Sequence, residues 1–123
     1  MNTDIEKLGV VGQVIVDKFN LSISPDTPVY VGLHNRIHME NRHEEIYSKY
    51  ADCLGDIIQS PDYVGVHPND SSLEYYKNFG DTVIHVKLAV RPTKNGVYFA
   101  RTVYEINEVS LNSYIRKGRV KAV

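Results

Sequence analysis

His38 and His43 lie five residues apart in Ile37-His38-Met39-Glu40-Asn41-Arg42-His43-Glu44-Glu45, where the chain enters a long amphipathic segment. Imidazole titrates near neutral pH, so a histidine held at the edge of a helix can take and return a proton during one reaction. The same placement suits surface histidines beside a helix cap, and spacing alone leaves both readings open. Five positions do not align on one helical face, so the pair fits a zinc or dinuclear site poorly, and neither a metal nor a cofactor is expected.

The later part of the chain offers cations to accompany them. Metal-free RNA cleavage needs a group to deprotonate the ribose 2′-hydroxyl, another to protonate the leaving 5′-oxygen, and cationic donors for the charge that builds on phosphorus. In Val83-Ile84-His85-Val86-Lys87-Leu88-Ala89-Val90 the alternation puts Ile84, Val86, Leu88 and Val90 on a core face. His85 and Lys87 then fall on a face polar enough to be open to water or to a ligand. Arg101 interrupts the stripe Val97, Phe99, Arg101, Val103. Either a bulge between Phe99 and Arg101 turns its guanidinium toward the open face, or Tyr98, Thr102 and Tyr104 form that face and Arg101 pairs inside. Tyr75, Tyr76, Tyr98 and Tyr104 could stack on bases, although tyrosine is also a common strand residue. His34 and His67 fall in expected loops and receive no role.

The elements that must position these residues follow from pattern. Residues 9–16 are rich in β-branched residues and glycine and read as a first strand; residues 29–33 read as a second. Ile46, Tyr50, Cys53, Leu54, Ile57 and Ile58 follow helical spacing, which predicts one main helix started by Glu40 or, better by residue type, Asn41, and stopped at Ser60-Pro61. Cys53 is the only cysteine and reads as a small buried hydrophobe on that helix. A turn and short strand are expected within 61–68 and strands at 73–79, 83–90 and 97–106, with a hairpin turn at Thr93-Lys94-Asn95-Gly96. Ser110 is the expected cap of a short last helix stopped by Gly118. The result is an α+β arrangement, an antiparallel sheet with one main helix packed on one face and the other face exposed.

Composition bounds the function. The 123 residues suffice for one domain, taken as 1–123, and no apolar run approaches the roughly 20 residues that span a bilayer. The amino terminus lacks the basic start and apolar stretch of a secretory signal, so a cytoplasmic location and no membrane partner are expected. The net charge of −1 hides a division: residues 1–81 carry six Lys/Arg against thirteen Asp/Glu, and residues 82–123 carry eight against two. A fold that gathers the basic third, Arg116 and Lys117 included, on one face would attract a phosphate backbone.

The order of these features resembles the phage-associated branch of the barnase–EndoU–colicin E5/D–RelE-like nucleases. The resemblance runs through residues 37–58, Pro61-Asp62-Tyr63-Val64, residues 83–90, residues 98–104 and Ile115-Arg116-Lys117-Gly118-Arg119-Val120, roughly two thirds of the chain. It implies a barnase/RelE-like fold and a toxin-like, metal-independent endoribonuclease whose transesterification leaves a 2′,3′-cyclic phosphate. By position it makes His38 and His43 the proton-transfer pair, Lys87 the strand cation, and Arg101 and Thr102 the last polar strand pair. His85, Tyr98, Tyr104, Arg116 and Lys117 would contact the RNA, and an immunity or host protein is a possible further partner. The acidic first part departs from toxins that are basic throughout and points to a narrow substrate held by the basic third. The competing class is a noncatalytic phage module that uses the same fold to bind RNA or a protein.

Overall fold

A computed structural model describes residues 4–80 and 83–123. Its strands are β1 (Ile5–Val10), β2 (Pro28–Gly32), β3 (Tyr63–Val66), β4 (Leu73–Lys77), β5 (Ile84–Pro92), β6 (Tyr98–Asn107) and β7 (Val120–Ala122). Its helices are α1 (Gln13–Phe19), α2 (Leu33–Arg42), α3 (Glu44–Tyr50), α4 (Leu54–Gln59) and α5 (Glu108–Arg116), with a 3-10 turn at Ala51–Cys53. The strands form one sheet in the order β1-β2-β6-β5-β4-β3-β7. The α+β class is as expected, but the sheet is mixed, because β2 runs parallel to β6 through Val29–Tyr98 and Tyr30–Phe99.

Alternation along the strands sorts the side chains into two cores. Val29, Val31, Val64, Leu73, Tyr75, Val86, Leu88, Val90 and Val103 turn to one face and meet Ile15, Met39, Leu54, Ile57 and Ile58 from the helices. Val86, Leu88 and Val90 of β5 turn into the core as the period-two pattern predicts, whereas Ile84 at the start of the strand is only half-buried. On the other face Tyr76, Leu111 and Val120 are buried, with Tyr63, Ile106, Tyr114 and Ile115 packed around them. This second core corrects the expectation of an open polar face: α5 lies across it, and His85 and Lys87 are only 7% and 4% exposed.

One strand expectation and one helix expectation are also corrected. Residues 9–16 do not form one strand, because Gly12 takes a positive φ of 92° and the chain turns into α1, where Ile15 alone is buried. Val11 and Gly12 donate their backbone N–H groups to the carbonyls of Thr27 and Pro25, so tertiary contacts override the β propensity of Val14 and Val16. The main helix is three helices and a turn. Asn35 Oδ1 accepts the Gly32 N–H at 2.7 Å, so α2 starts directly at the end of β2, well before Asn41. The helical backbone then breaks at His43, whose φ of −145° and ψ of 62° separate α2 from α3. Cys53 ends half-buried at the 3-10 turn.

The 93–96 hairpin forms as expected, with Gly96 at φ 77° and the Thr93 N–H donating to the Val97 carbonyl. Helix α5 is capped by Asn107 instead of Ser110: Asn107 Oδ1 accepts the Ser110 N–H at 2.9 Å. Gly118, at φ 75°, ends the turn after α5, and the Gly118 and Arg119 N–H groups close it on the Ile115 and Tyr114 carbonyls. Such a left-handed residue past a helix satisfies its last carbonyls. The turn delivers Arg119 and β7 back to the sheet, where Gly65 pairs with Val120.

A Cβ on Gly65 would lie 2.8 Å from Val120 Cγ2 and 3.0 Å from the Arg119 carbonyl oxygen. Gly65→Ala is therefore expected to push β7 away and to cost about 1–3 kcal/mol, the usual range for overpacking, read as a lower urea midpoint.

Candidate active site around Tyr104

The site starts from a buried carboxylate. Leu73 and Tyr75 alternate into the main core, which turns Glu74 to the α5 face, where it is 3% exposed. Glu74 Oε2 lies 2.7 Å from Lys87 Nζ on neighbouring β5, and Oε1 lies 2.6 Å from Arg119 Nη2 beyond the α5 turn. One carboxylate thus joins β4, β5 and the start of β7. Burial by itself would lower the Lys87 pKa, but Glu74 and the Tyr104 hydroxyl favour the ammonium and leave it raised above the ordinary lysine value. Arg119 shows the same balance, with Glu74 outweighing burial.

Three rings enclose the Lys87 ammonium, those of Tyr104 at 5.0 Å and of Tyr76 and Tyr114 at 5.6 Å each. Arg119 covers Tyr114 from 4.6 Å. Lys87 is therefore a fixed, desolvated charge beneath a layer of tyrosines, and not the open-face cation that the alternation suggested.

Tyr104 connects this charge to the surface. Beyond Phe99 the edge of β6 is no longer paired with β2, and α2 and α3 pack along it. The helix break consequently places the half-buried His43 ring 5.9 Å from the Tyr104 ring. A cleft of about 220 Å³ opens on Tyr104, Glu74, Thr102, Arg101, Arg91 and His67, and Asp70 and Ser72 line it too. Arg101 reaches it through a bulge, since Ala89 pairs with Thr102 and Val90 with Ala100, leaving Arg101 as the extra residue. The bulge belongs to the first of the two alternatives open from sequence, whereas Thr102 and Tyr104 share the cleft face as the second had it and Tyr98 does not.

The remaining expected residues separate. His38 stands exposed on α2, about 100° around the helix from the buried Met39. Tyr98 is buried in the main core and is not brought to the cleft. His85 is buried under α5, edge-on to Tyr63, with both ring nitrogens unpartnered among the described residues. Arg116 and Lys117 are exposed at the end of α5.

Sequence reasoning missed Glu74, Arg119, Arg91 and His67. For Glu74 a signal existed: a carboxylate inside Leu73-Glu74-Tyr75-Tyr76 must find a buried cation if that run is a strand. Arg91 and His67 meet at Asp70, whose carboxylate lies 3.3 Å from Arg91 and 3.4 Å from the His67 ring. Hydrogen bonds from Ser72 lead the causes that hold the Asp70 pKa below its usual value. No group of three or more potential metal ligands occurs among the described residues. No helix among them is long and apolar enough to cross a membrane.

An α+β sheet with a cationic cleft beside a histidine is consistent with a phosphodiester-cleaving class of protein. Residues 6–113 match the model of the family described as phage-Barnase-EndoU-ColicinE5/D-RelE like nuclease3, and the chain belongs to that nuclease family. No curated protein and no solved structure matches the chain.

The buried pair and the buried tyrosines predict an alkaline limit to stability. Lys87 keeps its proton in the fold above the ordinary lysine pKa, and burial pushes the Tyr75 and Tyr76 hydroxyls up as well. All three hold protons that the unfolded chain releases, so their contribution is complete below about pH 10 and declines as pH rises further. Urea midpoints measured from neutral pH upward should fall above that point, with a shallower slope in Lys87→Met.

Proposed function

We propose that the protein is an endoribonuclease that cleaves RNA by transesterification through the 2′-hydroxyl, without a metal ion. The observation that carries this reading is the meeting of His43, Lys87, Arg101 and Thr102 around Tyr104. Family membership supports a nuclease; the choice of RNA and of the 2′-hydroxyl route comes from the chemistry of these side chains.

In this reading the scissile phosphate enters the cleft. Counting Lys87, Arg119, Arg91 and Arg101 against Glu74 and Asp70, the charges around it favour an anion. Arg101 sits on the exposed bulge and can move onto a nonbridging oxygen, while the fixed Lys87 charge acts through Tyr104. A preorganised charge that needs no reorientation stabilises a developing anion effectively. His43 takes the 2′-hydroxyl proton, since it borders Tyr104 at the helix break and its ring is half-buried, not sealed. Tyr104 offers a ring for a base and a hydroxyl for the phosphate, and Arg116 and Lys117 extend contact to the strand's backbone. The acidic first part of the chain restricts nonspecific binding and favours a narrow RNA substrate, with an immunity or host protein as a further partner.

Neutralisation of Lys87 by Glu74 favours a second reading, a noncatalytic module that binds RNA or a protein. Incubating the purified chain with total RNA in EDTA separates them. Cutting that persists in EDTA and falls at least about a hundredfold in His43→Ala, the loss expected on removing a proton-transfer group, supports the nuclease. Binding without cutting across diverse RNAs supports the module.

A further inference from the structure

His67 follows β3 in the turn that leads to β4, and it lines the same cleft as Tyr104, Arg101 and Thr102. The turn fixes its ring. The His67 backbone N–H donates to the Ser72 carbonyl at 2.8 Å, and the Asn69 backbone N–H donates to the ring at Nδ1 of His67 at 3.2 Å. With Nδ1 accepting, the neutral ring carries its proton on Nε2. Asp70 Oδ1 lies 3.4 Å from the same Nδ1 and can accept from it once the ring is protonated. Asp70 is itself braced by the Ser72 N–H at 3.0 Å and by Arg91 at 3.3 Å.

Resting on the ribonuclease reading above, we propose that His67 is the general acid of the reaction and that Asp70 is its positioning residue. His67 lines the cleft from the β3–β4 turn, and His43 borders one of its lining residues, Tyr104, from the break between α2 and α3. The two proton transfers of a transesterification need two groups near opposite ends of the reacting phosphate. As the ribose 2′-oxygen bonds to phosphorus, its proton passes to His43. The bond from phosphorus to the 5′-oxygen breaks, and that oxygen takes the Nε2 proton of the His67 imidazolium. The ring is left neutral with its remaining proton on Nδ1, facing Asp70, and returns to the resting Nε2-protonated form by proton exchange with water. Charge and protons balance, and no further reactant is required. The charged and titratable groups facing His67 across the cleft are Asp70, Glu74, Arg91, Arg101 and Tyr104.

A leaving-group substitution tests the role directly. An RNA oligonucleotide with a bridging 5′-phosphorothiolate at the cleaved position departs as a thiolate and gains little from a general acid. His67→Ala should slow cleavage of the ordinary oligonucleotide at least about a hundredfold and cleave the phosphorothiolate at close to the wild-type rate. His43→Ala, which removes the base, should be slow on both. Asp70→Asn should retain the rescue with a smaller loss and an altered pH–rate profile, because it changes the partner of Nδ1 and not the acid itself. Equal loss of both substrates in a folded His67→Ala protein, or no loss on either, overturns the assignment to His67. Absence of cutting by the wild-type protein on either substrate overturns the ribonuclease reading instead. His67→Gln, which keeps a polar side chain in the turn, checks that a loss is not one of folding.

Discussion

Glu74 is the group on which the second face of the sheet depends. It lies where solvent cannot screen it, and its two oxygens are each held by a different cation, Lys87 at 2.7 Å and Arg119 at 2.6 Å. A buried carboxylate without such partners is strongly unfavourable; removing one member of a buried pair typically costs about 3–5 kcal/mol. The three charges come from β4, β5 and the segment after α5, so satisfying Glu74 also fixes where α5 turns back and where β7 joins β3. The tyrosines then have a floor to pack on. Tyr76 and Tyr114 seal the charges from water, and Tyr104 covers Lys87 from the side of the cleft.

From that floor the site is built by edge effects. β2 pairs with only the start of β6, and the vacated edge is taken by α2 and α3, whose junction holds His43 against Tyr104. A bulge on β6 frees Arg101 from the alternation and sends it to the cleft, a common use of an unpaired extra residue. The result sets one deeply fixed cation beneath the cleft and one exposed cation at its rim. In the proposed reaction the fixed charge supplies a field that needs no reorganisation, and the exposed arginine follows the phosphate.

Much of this was legible in the amino-acid sequence where a simple period governs. The strand Ile84–Pro92 and its buried Val86, Leu88 and Val90, the turn at residues 93–96, and the interruption at Arg101 all come from alternation and turn chemistry. His43 stood out for its place before a helical pattern, and it does meet Tyr104. The errors arise where one face of a pattern depends on a partner elsewhere in the chain. Val14 and Val16 look like strand residues, yet Gly12 and the Thr27 carbonyl turn them into α1. His85 and Lys87 look exposed because alternation cannot show that α5 crosses above them. Arg119 lies 45 residues from Glu74 and is joined to it only by the fold. His67 was hidden for a simpler reason: loop geometry, not periodicity, aims its ring.

The proposed 2′-hydroxyl chemistry is tested most directly with an RNA oligonucleotide carrying a single 2′-deoxy sugar on the 5′ side of the cleaved bond, incubated with the protein in EDTA. The proposed mechanism predicts that the all-ribose strand is cut to a 2′,3′-cyclic phosphate and that the substituted strand stays intact at that bond while still competing for binding. Cleavage of the 2′-deoxy bond at a comparable rate would contradict it, because the nucleophile would then have to be something other than the ribose hydroxyl.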